Sequence, residues 1–178
     1  MNTIKLIEAL QAIAACESPW SRDNSPPWGI HDADPAPYNR LYGPVYPRGA
    51  VSAIVFQRGE CLAQIGDVHR ADLTFSVAKT YLALLAGVAH DQGLLTDVRE
   101  PVYRRCPGIG FDEGRLQRIT WEHLLQQTSE WEGECLGMPE QVERYRVVQF
   151  QDVKESGRKG DPRPLRAPGT YWEYNDVR

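Results

Sequence analysis

Ser76 and Lys79 stand three positions apart where the longest apolar stretch begins: Leu73-Thr74-Phe75-Ser76-Val77-Ala78-Lys79-Thr80-Tyr81-Leu82-Ala83-Leu84-Leu85-Ala86-Gly87-Val88-Ala89. Residues three apart on a helix lie on one face, so the hydroxyl and the amine can meet in the first turn. An amine beside a hydroxyl can take its proton when burial lowers the amine's pKa, and the serine then becomes a nucleophile. A helix N-terminus at the same place favours the negative charge that develops during attack. The pattern alone is unspecific, since Ser-x-x-Lys should occur about once in a chain of this length. Ser156-Gly157-Arg158-Lys159 repeats it in a Gly-, Pro- and charge-rich stretch without apolar periodicity, and carries almost no weight. The competing reading of Ser76 is an N-terminal helix serine beside a solvated lysine.

The bulk properties narrow the classes of function. The 178 residues suffice for one domain with a core, and the hydrophobic content of 42% is ordinary for a globular chain. A net charge of -4 without a Lys/Arg-rich stripe gives no reason to expect nucleic acid. No apolar run is long enough to span a membrane. Glu8 and Gln11 interrupt the apolar residues of the first fifteen, so these do not read as a secretory signal. The expectation is a cytoplasmic protein with neither a nucleic-acid nor a membrane partner. Cys16, Cys61, Cys106 and Cys135 form no Cys-x-x-Cys pair, and His31, His69, His90 and His123 have no i, i+4 partner. Neither a metal nor a cofactor is expected from them, and the thiols read as reduced.

The elements that must position Ser76 and Lys79 follow from periodicity. Ile4, Ile7, Leu10 and Ile13 recur every three residues, predicting an amphipathic helix that Pro19 ends. Seven of the thirteen prolines lie from Pro19 to Pro47, so this stretch reads as extended, irregular chain. Trp20, Trp28, Tyr38, Tyr42 and Tyr46 in or beside it would pin it to the body of the protein. Val51 to Phe56 and Glu60 to Ile65 read as two strands joined by an Arg58-Gly59 turn. The helix opening at Ser76 is predicted to end near Gly93, and Thr120 to cap a short helix from Trp121 to Gln127. Pro107-Gly108-Ile109-Gly110 reads as a turn, and Gln141 to Gln149 is ambiguous. Lys154 to Arg166, with five basic and two acidic residues and two prolines, reads as a solvated loop. A hairpin followed mostly by helices predicts an α+β protein with an antiparallel sheet.

Taken in order, four segments resemble the serine beta-lactamase and penicillin-binding protein superfamily, on its class C beta-lactamase and esterase side. They are the hairpin from Val51 to Ile65; Leu73 to Thr80 with the helix ending Asp91-Gln92-Gly93-Leu94-Leu95; Thr120 to Ser129, similar to a family helix followed by Thr-Ser; and Pro168-Gly169-Thr170-Tyr171-Trp172-Glu173-Tyr174-Asn175-Asp176, where the family places Pro-Gly a few residues before Tyr-x-Asn. The resemblance covers roughly residues 50 to 178. It implies a beta-lactamase/transpeptidase-like fold, with an antiparallel hairpin plus a helical subdomain. It also implies a serine hydrolase working through an acyl-enzyme on a small ester or amide. Ser76 would be the acylated nucleophile, with its backbone N–H as one oxyanion donor. Lys79 and Tyr174 would share general-base and general-acid work, with Lys79 the cation that makes a tyrosine base feasible. Without the resemblance, Tyr174 would read as a buried aromatic beside Trp172.

Two departures from the family pattern bear on function. Asp176 stands where the family has asparagine. An ionised carboxylate only accepts hydrogen bonds, would hold Lys79 charged and would repel anionic substrates. This favours neutral esters or short amides over carboxylate-bearing beta-lactams. The family's Lys-Thr-Gly or His-x-Gly strand also has no match, so the sheet is expected to be incomplete in this chain. Residues 1–178 then read as the N-terminal portion of one such domain. Residues 1–70 hold the first helix, the Pro-rich segment and the hairpin, and 71–178 the helical subdomain. A C-terminal complement chain or a homo-oligomer would supply the rest. The alternatives are a non-catalytic penicillin-binding-like protein, an inactive fragment needing its complement, or a Ser/Lys peptidase or amidase of another fold.

Overall fold

A computed structural model describes residues 3–41, 43–145 and 157–178. The chain divides into two compact units, Met1–Phe75 and Ser76–Arg178. The sequence reading separated 1–70 from 71–178.

In the first unit, α1 (Thr3–Ala14) packs against a hairpin of β1 (Ala53–Gln57) and β2 (Glu60–Ile65). Leu10 and Ala63 are its buried apolar residues, while Ile4, Ile7 and Ile13 are exposed. The repeat of three thus marks the helix but not the side that is covered. The strands pair antiparallel with Gln57 opposite Glu60, which leaves Arg58-Gly59 as a two-residue turn. Both turn residues have positive φ, 52° and 85°, as a primed hairpin turn demands, and the glycine takes the larger value. The register slips by one residue between Val55 and Phe56, a bulge that increases local twist. The Pro-rich stretch is irregular except for a 3-10 turn over Ile30–Ala33. Trp20 meets Phe75 at 6.1 Å between ring centroids, and Trp28 and Tyr38 are half-buried. Tyr46 instead is 77% exposed and does not pin the loop, and Tyr42 lies outside the described residues.

The second unit is built on α2 (Ala78–Asp91) and α3 (Trp121–Leu125). Where the periodicity predicts α2 from Ser76, Ser76 lies in a 3-10 turn, Phe75–Val77, immediately before it. Lys79 therefore stands in the first turn of α2, and Ser76 just ahead of it. At the other end Gly93 (φ 72°) donates to the His90 carbonyl and Leu94 to that of Ala89, the paired bonds of a glycine-terminated helix. Thr120 caps α3 as predicted: its hydroxyl accepts from the His123 N–H, and the His123 ring accepts from the Thr120 N–H. The helix stops at Leu125 rather than Gln127, which has left-handed backbone (φ 55°). Val102, Phe111 and Ile119 form the buried core, with Trp121, Leu124 and Trp131 packed on it. A minimal hairpin, β3 (Glu134–Cys135) with β4 (Met138–Pro139), follows. The architecture is thus α+β with antiparallel hairpins. Much of α2 stays uncovered: Leu82, Leu84 and Leu85 are each over 60% exposed.

Candidate functional site

The 3-10 turn and the first turn of α2 place Ser76 and Lys79 side by side, and the extended segment after Pro168-Gly169 brings Tyr174 and Asp176 to them. Gly169 has φ 83°, and a Cβ there would sit 2.7 Å from the His123 ring nitrogen, so only glycine fits this approach. Its N–H donates to the Thr128 carbonyl at 2.8 Å, tying the turn to the loop after α3. From there side chains alternate, as they must in extended chain. Glu173 and Asn175 are buried, whereas Tyr174 is half-buried and Asp176 exposed on the side of Lys79.

The four side chains read from the sequence converge. The Lys79 ammonium donates to Asp176 Oδ1 at 2.5 Å, to the Tyr174 hydroxyl oxygen at 3.2 Å and to Ser76 Oγ at 3.5 Å. The Tyr174 hydroxyl in turn donates to Ser76 Oγ, across 98 positions of sequence. An ammonium has three protons and no acceptor, so these bonds use its full capacity. Burial pushes the Lys79 pKa down, but Asp176, by hydrogen bond and charge, and Tyr174 outweigh it, and the net direction is upward. A lysine held charged lacks the lone pair a base requires. Tyr174, bonded to Ser76 and facing that cation, is therefore better placed to exchange a proton with the serine.

The raised Lys79 pKa favours the folded state through the whole range in which lysine is ordinarily protonated. The contribution fades only as pH rises through the raised value. Asp176→Asn removes the charge but keeps the shape, leaving burial opposed by less. Lys79 in that variant is expected to titrate at lower pH, read from its Cε NMR shift. An unchanged titration would show that Asp176 does not hold the lysine.

The predicted residues are only the exposed half of the arrangement. Behind Tyr174, three carboxylates and three guanidiniums are interleaved. Arg163 binds Glu130 through both terminal nitrogens, at 2.6 and 2.7 Å, and Glu173 at 2.7 Å. Arg178 reaches Glu130 at 2.5 Å and Glu140 at 2.8 Å. Arg144 pairs with Glu140 and donates to the Arg163 carbonyl at 2.9 Å. Burial pushes the Glu130 carboxyl up, but Arg163, the Arg166 N–H and Arg178 outweigh it, so the direction is down. Arg163 was expected in a solvated loop and is only 7% exposed. Paired guanidinium–carboxylate charge makes that burial tolerable. Residues 154–156 and the end of the ambiguous 141–149 segment lie outside the described residues. Sequence reasoning missed the network because its partners are up to 48 positions apart.

An open groove of about 490 Å³ starts at Lys79 and Asp176 and runs along Leu82, Ala83 and Ala86 of α2, with Trp121 and Leu124 opposite. Three histidines have local roles: His31 bonds Asp34, His90 the Leu95 carbonyl, and His123 caps α3. Among the described residues, no helix is long and apolar enough to cross a membrane. No family model, no curated protein and no solved structure matches the chain.

Proposed function

We propose that this protein is a serine hydrolase acting through an acyl-enzyme on neutral esters or small amides, built on the beta-lactamase and penicillin-binding protein plan. The observation that carries the reading is the convergence of Ser76, Lys79 and Tyr174 within hydrogen-bonding distance, with the tyrosine supplied from 98 positions away. In the reaction, Tyr174 first gives up its own hydroxyl proton to solvent, with the charged Lys79 beside it, and then takes the Ser76 hydroxyl proton. Ser76 Oγ bonds to the substrate carbonyl carbon, and the oxyanion forms against the Ser76 N–H. The leaving group departs with the proton from Tyr174. Water then repeats the sequence on the acyl-enzyme, releasing the acid and restoring Ser76. The Asp176 carboxylate beside Lys79 neutralises the local positive charge. An anionic substrate loses the attraction it would have there, and a neutral one does not.

The direct test is intact-protein mass after treatment with a fluorophosphonate. One phosphonyl adduct mapping to Ser76 is expected, and folded protein that stays unmodified would sink the reading. Tyr174→Phe removes the proton carrier while keeping the ring. Hydrolysis of short esters is expected to fall by on the order of 10²- to 10⁴-fold. Full activity in that variant would point instead to a Ser/Lys peptidase or amidase of another fold.

The exposed apolar residues of α2 favour a second reading. A helix with Leu82, Leu84 and Leu85 largely uncovered is typical of a surface that another surface covers. On that reading the chain is a non-catalytic, penicillin-binding-like protein, or one that turns over only with a complementary chain or a second copy on α2. A stable Ser76 adduct without turnover would select it.

A further inference from the structure

We propose that Gln127 is a positioning residue that fixes Tyr174 and Asp176 against Ser76 and Lys79; this rests on the hydrolase reading above.

The Gln127 side-chain amide faces the backbone of Asn175 edge to edge. Its Nε2 donates to the Asn175 carbonyl at 2.9 Å, and its Oε1 accepts from the Asn175 N–H at 3.3 Å. Its own carbonyl accepts from the Glu173 N–H at 3.5 Å. One residue thus grips the extended segment on both sides of Tyr174. At neutral pH a paired donor and acceptor on one planar terminus is offered by the side-chain amides of asparagine and glutamine, and asparagine is a methylene too short to replace it. Reaching that segment requires the chain to turn sharply after α3, which accounts for the left-handed backbone at Gln127 (φ 55°). The buried guanidinium–carboxylate network holds the Glu173 side chain, and Asn175 is bonded to the Glu140 carbonyl. Those contacts anchor the inward side chains. Gln127 instead sets the height and tilt of the backbone from which Tyr174 and Asp176 project. Gln127 is only half-buried and lines the groove that starts at Lys79, so its bonds contribute less to the core than to aim. A displacement of about 1 Å in a catalytic group can lower a rate by on the order of 10²-fold.

The test compares Gln127→Met, which keeps the shape and loses both bonds, with Gln127→Glu, which loses the donor while ionised. Both are expected to stay cooperatively folded. For a short ester, kcat in Gln127→Met is expected to fall about 10-fold or more with KM within about two-fold, the signature of misplaced chemistry rather than lost binding. In the same variant Lys79 should titrate at lower pH by NMR, because Asp176 and Tyr174 no longer sit on it. Relative to wild type at each pH, Gln127→Glu should recover as acid protonates the new carboxyl and restores a donor. Wild-type kcat together with an unchanged Lys79 titration in Gln127→Met would overturn the proposal. So would loss of folding in both variants, which would make Gln127 a structural residue. The Lys79 titration needs no turnover. If wild-type protein shows no Ser76-dependent hydrolysis, the hydrolase reading fails, while the titration still decides whether Gln127 places Tyr174 and Asp176.

Discussion

Alanine in place of Ser76 is expected to abolish the fluorophosphonate adduct and to lower short-ester hydrolysis by on the order of 10⁴-fold or more. The residue is exposed and in a 3-10 turn rather than within a helix, so truncating it should change stability by no more than about 0.5 kcal/mol. Lys79 and Tyr174 remain in place in such a variant, yet neither can take over. Lys79 is held charged by Asp176, and a charged amine is no nucleophile. Tyr174 loses the hydroxyl it serves. Loss of labelling alongside an unchanged denaturation midpoint would therefore locate the chemistry at one oxygen. Wild-type labelling of the Ser76→Ala protein would place the reactive group elsewhere.

Arg163→Ala is expected to be the most destabilising single truncation in the second unit, costing roughly 3 to 5 kcal/mol in urea unfolding. Arg163 holds Glu130 with two bonds and Glu173 with one. Removing it leaves two buried carboxylates sharing Arg178, which already serves Glu140. The cost should therefore lie toward the lower end of that range. The sign of the pH dependence follows from Glu130, whose pKa is lowered in the folded state. Its contribution is present above the ordinary carboxylate range and is lost as pH falls through the lowered value. The wild-type protein should consequently lose stability in acid. The gap between wild type and Arg163→Ala should narrow there as the carboxylates protonate. A cost below about 1 kcal/mol at neutral pH would mean that solvent screens the network.

The residues that could be read from the sequence are those whose signals are local. The Arg58-Gly59 turn, the Thr120 cap and the Gly93 terminus each depend on a few adjacent residues, and each is where the sequence predicts it. Ser76 and Lys79 were legible by their three-residue spacing, and Tyr174 and Asp176 through a resemblance of segment order. What escaped is non-local. The carboxylate partners of Arg163 and Arg178 lie 5 to 48 positions away, so nothing near Arg163 marks it as buried. The early end of α3 escaped for the same reason, since Gln127 leaves the helix to meet Asn175, 48 residues on. Propensity places the start of a helix better than its end when a distant backbone competes for its last residue.

Alternation along the extended segment near Tyr174 has a consequence for redesign. Its inward positions, Glu173 and Asn175, carry packing and charge balance, whereas Trp172, Tyr174 and Asp176 face outward. Parity of residue number therefore separates two kinds of substitution. Odd positions anchor the segment, and on the hydrolase reading even positions face the chemistry. On that reading, change at Asp176 alters the site at the cost of its ion pair with Lys79, while Glu173 and Asn175 keep the segment anchored.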